Sequence, residues 1–362
     1  MILNLNRDQL KKSLSVLRNT LGDAKTNVLL EHFLFEIENN TLTIKSTNFQ
    51  TATIWSIITE VDEIFSFTIP GNILIGLISS LGAEEISLDY DPKTLNIKLV
   101  AGNYEWETVS GNVSDFPKIE VPPELKEINL PQNFPSLLKS VCFSISDDTK
   151  QIDLNSLCMD FNKNSNKCLK LIATDRTRLS CSTSDVETEE TLQFILPKSS
   201  VIELMKLEPK SLLYSENGTK IYFKSQFGGG ELIFQTSLTN AKFPDIYAYL
   251  KDSFAELKAV TINKNSFIDS LKRIKLISDK AKRVGTFKVN NTQMNLSSLN
   301  NLNKCKEILT VESEVNISFD CNIDFILDYL LNEVDAKVSF KYYDNKCIIF
   351  DKEKYRYVLS IK

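Results

Sequence analysis

The chain has one histidine in 362 residues. His32 lies between Glu31 and Phe33 in a stretch patterned as a strand. A Ser-His-Asp or Cys-His triad, or a histidine-based metal site, would have to be built on that one side chain. Its setting reads as structural. The seven cysteines are odd in number and include no Cys-x-x-Cys pair. They read as small buried side chains in a reducing, cytoplasmic compartment, and as neither a disulfide frame nor a zinc site. No P-loop, G-x-G-x-x-G, H-E-x-x-H or G-x-S-x-G motif occurs. No apolar run reaches the ~18 residues that a membrane span needs. The N-terminal MILNLNRDQLKKSLSVLRNTL mixes charge into its apolar residues and has no small-residue cleavage site, so it reads as structure and not as a signal peptide. Carboxylates remain as acid–base groups, 47 in all, but none falls in a spaced motif. No metal, cofactor or catalytic residue is expected.

What is present is ordinary in bulk: 42% apolar, 25% charged and 9% aromatic residues, in a length suited to two or three domains. The informative feature is an internal repeat. Thr47-Asn48 follows the strand-like TLTIKS, Thr174-Asp175 follows CLKLIA, and Ser298-Leu299 follows QMNLS. A second alternating run comes next in each case, which predicts three hairpins with polar turns. Thr47 to Pro70, Thr174 to Pro197 and Ser298 to Cys321 all span 23 residues, and Pro70 to Pro117 and Pro197 to Pro244 both span 47. The copies are thus offset by 127 and then 124 residues. A helical pair follows each landmark: Leu74/Ile78, Val201/Met205 and Phe325/Tyr329. Each copy also opens with an i, i+4, i+7 stripe: Leu10/Leu14/Leu17, Phe134/Leu138/Val141 and Phe267/Leu271/Ile274. Three α+β domains are expected near 1–122, 126–250 and 256–362, linked through EVPPELKE and YLKDSFAELK.

Charge is distributed unevenly. Residues 7–22, 132–146 and 263–283, which hold the three opening helices, together carry +9 in a chain of net −5, leaving −14 for the rest. If equivalent helices face one way, one surface is basic and suited to phosphates without base readout.

The stretches LIATDRTRLS, ILPKSSVIELMKLE, NAKFPDIYAYL and FSISDDTKQIDLNSLCMDF carry a resemblance, as does the N-terminal LGDAKTNVLLEHFLFEIENNTLTIKSTN. Nearly end to end, the chain resembles the bacterial DNA polymerase III beta subunit family, the β sliding clamps. The resemblance implies an α+β fold of three repeated DNA-clamp domains, each with two helices packed on antiparallel sheets. It implies a head-to-tail homodimer closing a six-domain ring around duplex DNA, opened by a clamp-loader ATPase, and no membrane partner. It places a pocket for short peptides of DNA polymerases and other partners on Leu154, Thr174, Arg176, Thr177, Arg178, Leu179, Pro244, Tyr249, Phe325, Val358 and Ser360. DNA-facing residues would be Lys11, Lys12, Arg18, Lys25, Lys139, Lys272 and Lys275. The dimer interface would set Trp106 and Thr108 against Leu276 and Ile277 of the other copy.

The chain departs from the family at several of these places. Arg176 stands where Gly is usual, Thr177 where His is common, Ala24 where an Arg contacts DNA, and Ile152-Asp153 where an aromatic pair is frequent. The tail is Val358-Leu359-Ser360-Ile361-Lys362. Two other readings exist: a clamp-fold adaptor that binds peptides without loading on DNA, and an enzyme using Asp175 with Arg176 or Arg178. The turns Thr47-Asn48 and Ser298-Leu299 weigh against the enzyme, because they keep the geometry without the acid.

Overall fold

The computed structural model describes residues 1–161, 168–184, 191–250, 254, 256–300 and 302–362. Residues 251–253 and 255 of the second expected linker lie outside the described residues. The first repeat runs β1 (Ile2–Asn6), α1 (Arg7–Leu17), β2 (His32–Glu38), β3 (Thr41–Thr47), β4 (Thr51–Ile58), β5 (Phe65–Pro70), α2 (Gly71–Ser80), β6 (Glu85–Asp91), β7 (Asn96–Ala101) and β8 (Tyr104–Val109). The second repeats that order: β9 (Lys126–Asn129), α3 (Phe134–Cys142), β10 (Ser156–Phe161), β11 (Leu169–Thr174), β12 (Arg178–Thr183), β13 (Leu192–Pro197), α4 (Lys198–Leu207), β14 (Ser211–Tyr214), β15 (Lys220–Phe227) and β16 (Gly230–Ser237). So does the third: β17 (Ala259–Asn263), α5 (Lys264–Ile277), β18 (Val284–Asn290), β19 (Gln293–Leu299), β20 (Lys304–Ser313), β21 (Asn316–Asn322), α6 (Ile323–Asn332), β22 (Lys337–Tyr343), β23 (Cys347–Lys352) and β24 (Tyr355–Ser360).

The helices form where the apolar period and the caps agree. Asn6, Asn263 and Asn322 cap α1, α5 and α6, each accepting a backbone N–H from the first turn. All nine stripe residues of the opening helices are at most 2% exposed. The stripes therefore turn inward and leave Lys11, Lys12, Lys139 and Lys272 outside.

The hairpin turns close on Asx side chains. Asn48 Oδ1 accepts from Gln50 N and Thr51 N, and Asp175 Oδ1 accepts from Thr177 N and Arg178 N. In the third repeat that role falls to Asn300, whose Oδ1 accepts from Leu302 N and Asn303 N. The equivalent of Thr174-Asp175 is thus Leu299-Asn300, not Ser298-Leu299. The helix cap equivalent to Pro70 and Pro197 is Asn322, not Cys321. Both landmarks slip together, so the 23-residue spacing survives and the second offset is 125. Side chains alternate faces along a strand, so a one-residue slip exchanges inside for outside. Ser298 is buried like Ser46, while Leu299 points out. The most deeply inward pair on α6 is accordingly Ile326/Leu330, at 1% and 0% exposure; of the expected Phe325/Tyr329, Tyr329 is buried in the core and Phe325 is only partly so.

Each repeat supplies two four-stranded antiparallel sets, and the sets join across repeats. The strand order β5-β2-β3-β4-β16-β15-β14-β9 arises because β4 pairs with β16. The order β13-β10-β11-β12-β24-β23-β22-β17-β20-β19-β18-β21 arises because β12 pairs with β24, and because β17 pairs with the last three residues of β20. The set β1-β6-β7-β8 stands alone. The chain therefore divides into two compact units that cut across the sequence repeats: Met1–Pro135 with Ser199–Leu238, and Ser136–Lys198 with Thr239–Lys362. No helix among the described residues is long and apolar enough to cross a membrane.

Candidate functional site

The β11–β12 turn is held rigidly. Thr174 Oγ1 donates to Arg178 O at 2.7 Å and accepts from Arg176 N at 3.1 Å. Asp175 Oδ1 takes the Thr177 hydroxyl at 2.6 Å, and Oδ2 takes Arg178 Nε at 2.8 Å. Both carboxylate oxygens are engaged in closing the turn, so Asp175 is not a free acid or base. The same pattern in the first repeat uses Thr47 and Asn48. Arg176 has φ +76° and its counterpart Phe49 φ +72°. That left-handed conformation is why glycine suits this position, and the turn's hydrogen bonds hold Arg176 there. Its side chain points outward, 69% exposed, with Asp153 at 4.0 Å.

Arg178 is the anchor beneath. Its Nη1 meets Asp328 Oδ2 at 2.5 Å, and its guanidinium lies 4.4 Å from the Phe325 ring centroid. This fixes the turn to α6.

Beside the turn opens a cavity of about 850 Å³, wholly within the second compact unit. Nine of the eleven expected residues line it: Thr174, Arg176, Thr177, Arg178 and Leu179 on one side, Pro244 and Tyr249 on another, and Val358 and Ser360 on β24. Leu154 is only 1% exposed and does not line it; its neighbour Asp153 does. Phe325 also stays outside the lining, its ring packed against the Arg178 guanidinium. Sequence reasoning passed over Phe243 and Ile246, which flank Pro244 three residues apart and bury into the same apolar cluster as Leu179 and Val358. It also passed over Cys347, Lys346 and Ile361. Cys347 was findable from Ser360, because the β23–β24 register sets the two opposite each other. The wall carrying Pro244 and Tyr249 lies outside the sheets. It is pinned by Phe243 and Ile246 and by the Tyr247 hydroxyl donating to the buried Asp160 carboxylate. Burial and that carboxylate push the Tyr247 pKa far above its ordinary value.

Lys11, Lys12, Arg18, Lys25, Lys139 and Lys272 are exposed, and none forms an ion pair among the described residues. Lys275 differs: it is half-buried and paired with Asp324 at 2.5 Å. Trp106 and Thr108 sit half-buried on β8. On α5, Leu276 is 81% exposed, and the Ile277 carbonyl accepts from Asn300 Nδ2 at 2.8 Å. His32 lies in β2, 3.3 Å from the Thr68 hydroxyl, and burial lowers its pKa against the opposing pull of Glu31. Among the described residues, no cluster of three or more His, Cys, Asp and Glu side chains is arranged to hold a metal.

Residues 1–120 match the family model for the DNA polymerase III beta subunit, N-terminal domain, and residues 129–245 match that for its central domain. The chain belongs to the DNA polymerase III beta subunit family. Among its beta subunit relatives, the Beta sliding clamp of Proteus mirabilis is 26% identical over 338 residues, spanning 90% of this chain and 89% of that one. The Beta sliding clamp of Haemophilus influenzae is 24% identical over 343 residues, spanning 91% and 90%. Among solved structures, the beta subunit of Pseudomonas aeruginosa superposes with a TM-score of 0.90 at 20% identity, covering both chains completely. That of Thermotoga maritima gives 0.86 at 19% identity, covering 100% of this chain and 99% of the other. The fold is therefore that of the beta subunits from end to end.

Proposed function

We propose that this protein is a sliding clamp, a non-catalytic ring of two copies that encircles duplex DNA and tethers the replicative polymerase. The observation that carries the reading is the way the repeats join. In the first two repeats, the strand after the Asx turn (β4, β12) takes a further strand from the next repeat (β16, β24). In the third, among the described residues, β20 has no such neighbour over Lys304–Thr310, and β8, the counterpart of β16 and β24, has none beyond β7. An unpaired edge is a template for another strand. One copy's β8 therefore completes the next copy's β20, head to tail, and two such joints close the ring.

Exposure and charge support this joint. Thr47 and Thr174 are 3% and 4% exposed, whereas their counterpart Leu299 is 67% exposed, as is Ile308 at 58%. β8 presents Glu105 and Glu107, and β20 presents Lys304 and Lys306. Trp106 and Thr108 on β8 and Leu276 and Ile277 on α5 then meet at the helix-side face of the joint.

The exposed, unpaired cations of the opening helices would face the phosphates without reading sequence, a feature that an adaptor does not need. A clamp-loader ATPase opens one joint. Polymerases and other partners place a short apolar peptide in the groove beside Leu179 and Pro244. Tethering then holds the polymerase at a high effective concentration at the primer end. The setting is the bacterial cytoplasm, and the repeats 1–122, 126–250 and 256–362 serve as the six domains of the ring. Static light scattering at micromolar concentration tests the assembly: the expected mass is twice 41.1 kDa, and a persistent single-chain mass rules the ring out.

A further inference from the structure

The first repeat carries a copy of the peptide groove, already filled. Pro70 and Pro197 are equivalent, and they lie opposite His32 and Ser156. Counting back three residues aligns Val28, Leu29 and Leu30 with Ile152, Asp153 and Leu154. Exposure agrees at the flanks: Val28 and Ile152 both point out, and Leu30 and Leu154 are both buried. The middle position differs. Leu29 is buried in an apolar cluster with Ala52, Phe116 and Ile119. The equivalents of those three, Leu179, Phe243 and Ile246, form the floor of the open groove, and Asp153 lies at its side.

Gly111 packs closely against that leucine: a Cβ there would lie 2.4 Å from Leu29 Cδ2, and the leucine tip would have to shift to admit it. A leucine fills the apolar hollow from within, whereas a carboxylate stays at the wet margin, because burying it unpaired is costly.

We infer that Asp153 is the residue that keeps the peptide groove open, and that Leu29 closes its counterpart, so each chain offers one groove to an apolar partner peptide. The inference rests on the groove being the peptide site. Asp153 acts by what it leaves unfilled, and its charge is secondary.

The test uses the full-length protein and a fluorescein-labelled apolar peptide containing Leu and Phe, with affinity read by polarisation and stability by thermal melting. Asp153→Leu is expected to weaken binding by at least about tenfold, the equivalent of ~1.4 kcal/mol, with a melting temperature equal to or above that of the native protein. Asp153→Asn keeps the vacancy and is expected to bind within about twofold of the native protein. Native-like binding by Asp153→Leu overturns the inference, as does an equal loss in Asp153→Asn, which would make the carboxylate itself the determinant. If the native protein binds no peptide, the groove reading falls and this inference with it; if it binds and only the Asp153→Leu result is wrong, the groove reading stands alone.

Discussion

Glu107→Pro is expected to leave the chain folded and to abolish its dimer. The β7–β8 hairpin turns through Gly102 and Asn103, with Ala101 opposite Tyr104. In a two-residue hairpin the closing pair exchanges its hydrogen bonds. Tyr104, Trp106 and Thr108 therefore bond to β7, and Ser110 N continues that parity by donating to Leu95 O at 2.8 Å. Glu105, Glu107 and Val109 turn their N–H groups away from β7, toward the edge where the second copy would pair. Proline at 107 removes one of those donors and places its ring against the incoming strand, while the bonds to β7 remain. A closed two-copy ring has two identical joints, so the substitution strikes twice. At ~1–1.5 kcal/mol per joint, dissociation rises on the order of a hundredfold, before any loss from strand misfit. Sedimentation should report a single chain with an unchanged far-ultraviolet spectrum. A dimer of native affinity would mean that β8 is not the joint.

Reversing the charge of Lys12, Arg18 and Lys272 together is expected to flatten the salt dependence of direct DNA binding. Each phosphate contact contributes a slope of about −0.9 in log affinity against log salt, so three lost contacts in each of the two chains of the ring reduce the slope by about five. At low salt the affinity should fall by more than about tenfold, and dimer mass should not change. Lys275 is left out because Asp324 already neutralises it. Reversing an exposed lysine on the β6–β7 turn, Lys93, serves as the control, and an equal loss there would reduce the effect to net charge. Fluorescence anisotropy of labelled duplex DNA across a salt series reads both quantities.

Much of this molecule was legible from spacing. The opening stripes bury as their period requires, because i, i+4 and i+7 fall on one helix face whatever the tertiary context. The turn at Thr174–Arg178 was legible as a hairpin because Asx side chains close such turns locally. The third repeat slipped by one residue for a physical reason. Ser298 resembles Thr47 and Thr174 in chemistry, but Leu299 is their counterpart in position. Leu299 is 67% exposed where Thr47 and Thr174 are buried, and in the proposed ring a strand of the second copy would run beside its hairpin as β16 and β24 run beside the other two, which the sequence of one chain does not signal. The groove was legible where it follows the chain, at residues 174–179, and less so where strand pairing brings distant residues in, as with Cys347 and Ile361. Asp153 stands in the sequence only as a departure from the family's aromatic pair; the role proposed for it emerges only against Leu29, which needs the strand register of both repeats.

The most direct test of the central claim is retention on DNA of different topology. Protein mixed with ATP, a bacterial clamp-loader ATPase and a nicked circular duplex should remain bound through gel filtration at a salt concentration that suppresses direct DNA binding. A single cut that linearises the circle should release it from the ends. A ring held by topology predicts retention on the circle and loss from the line; equal retention on both, or equal loss from both, would contradict it.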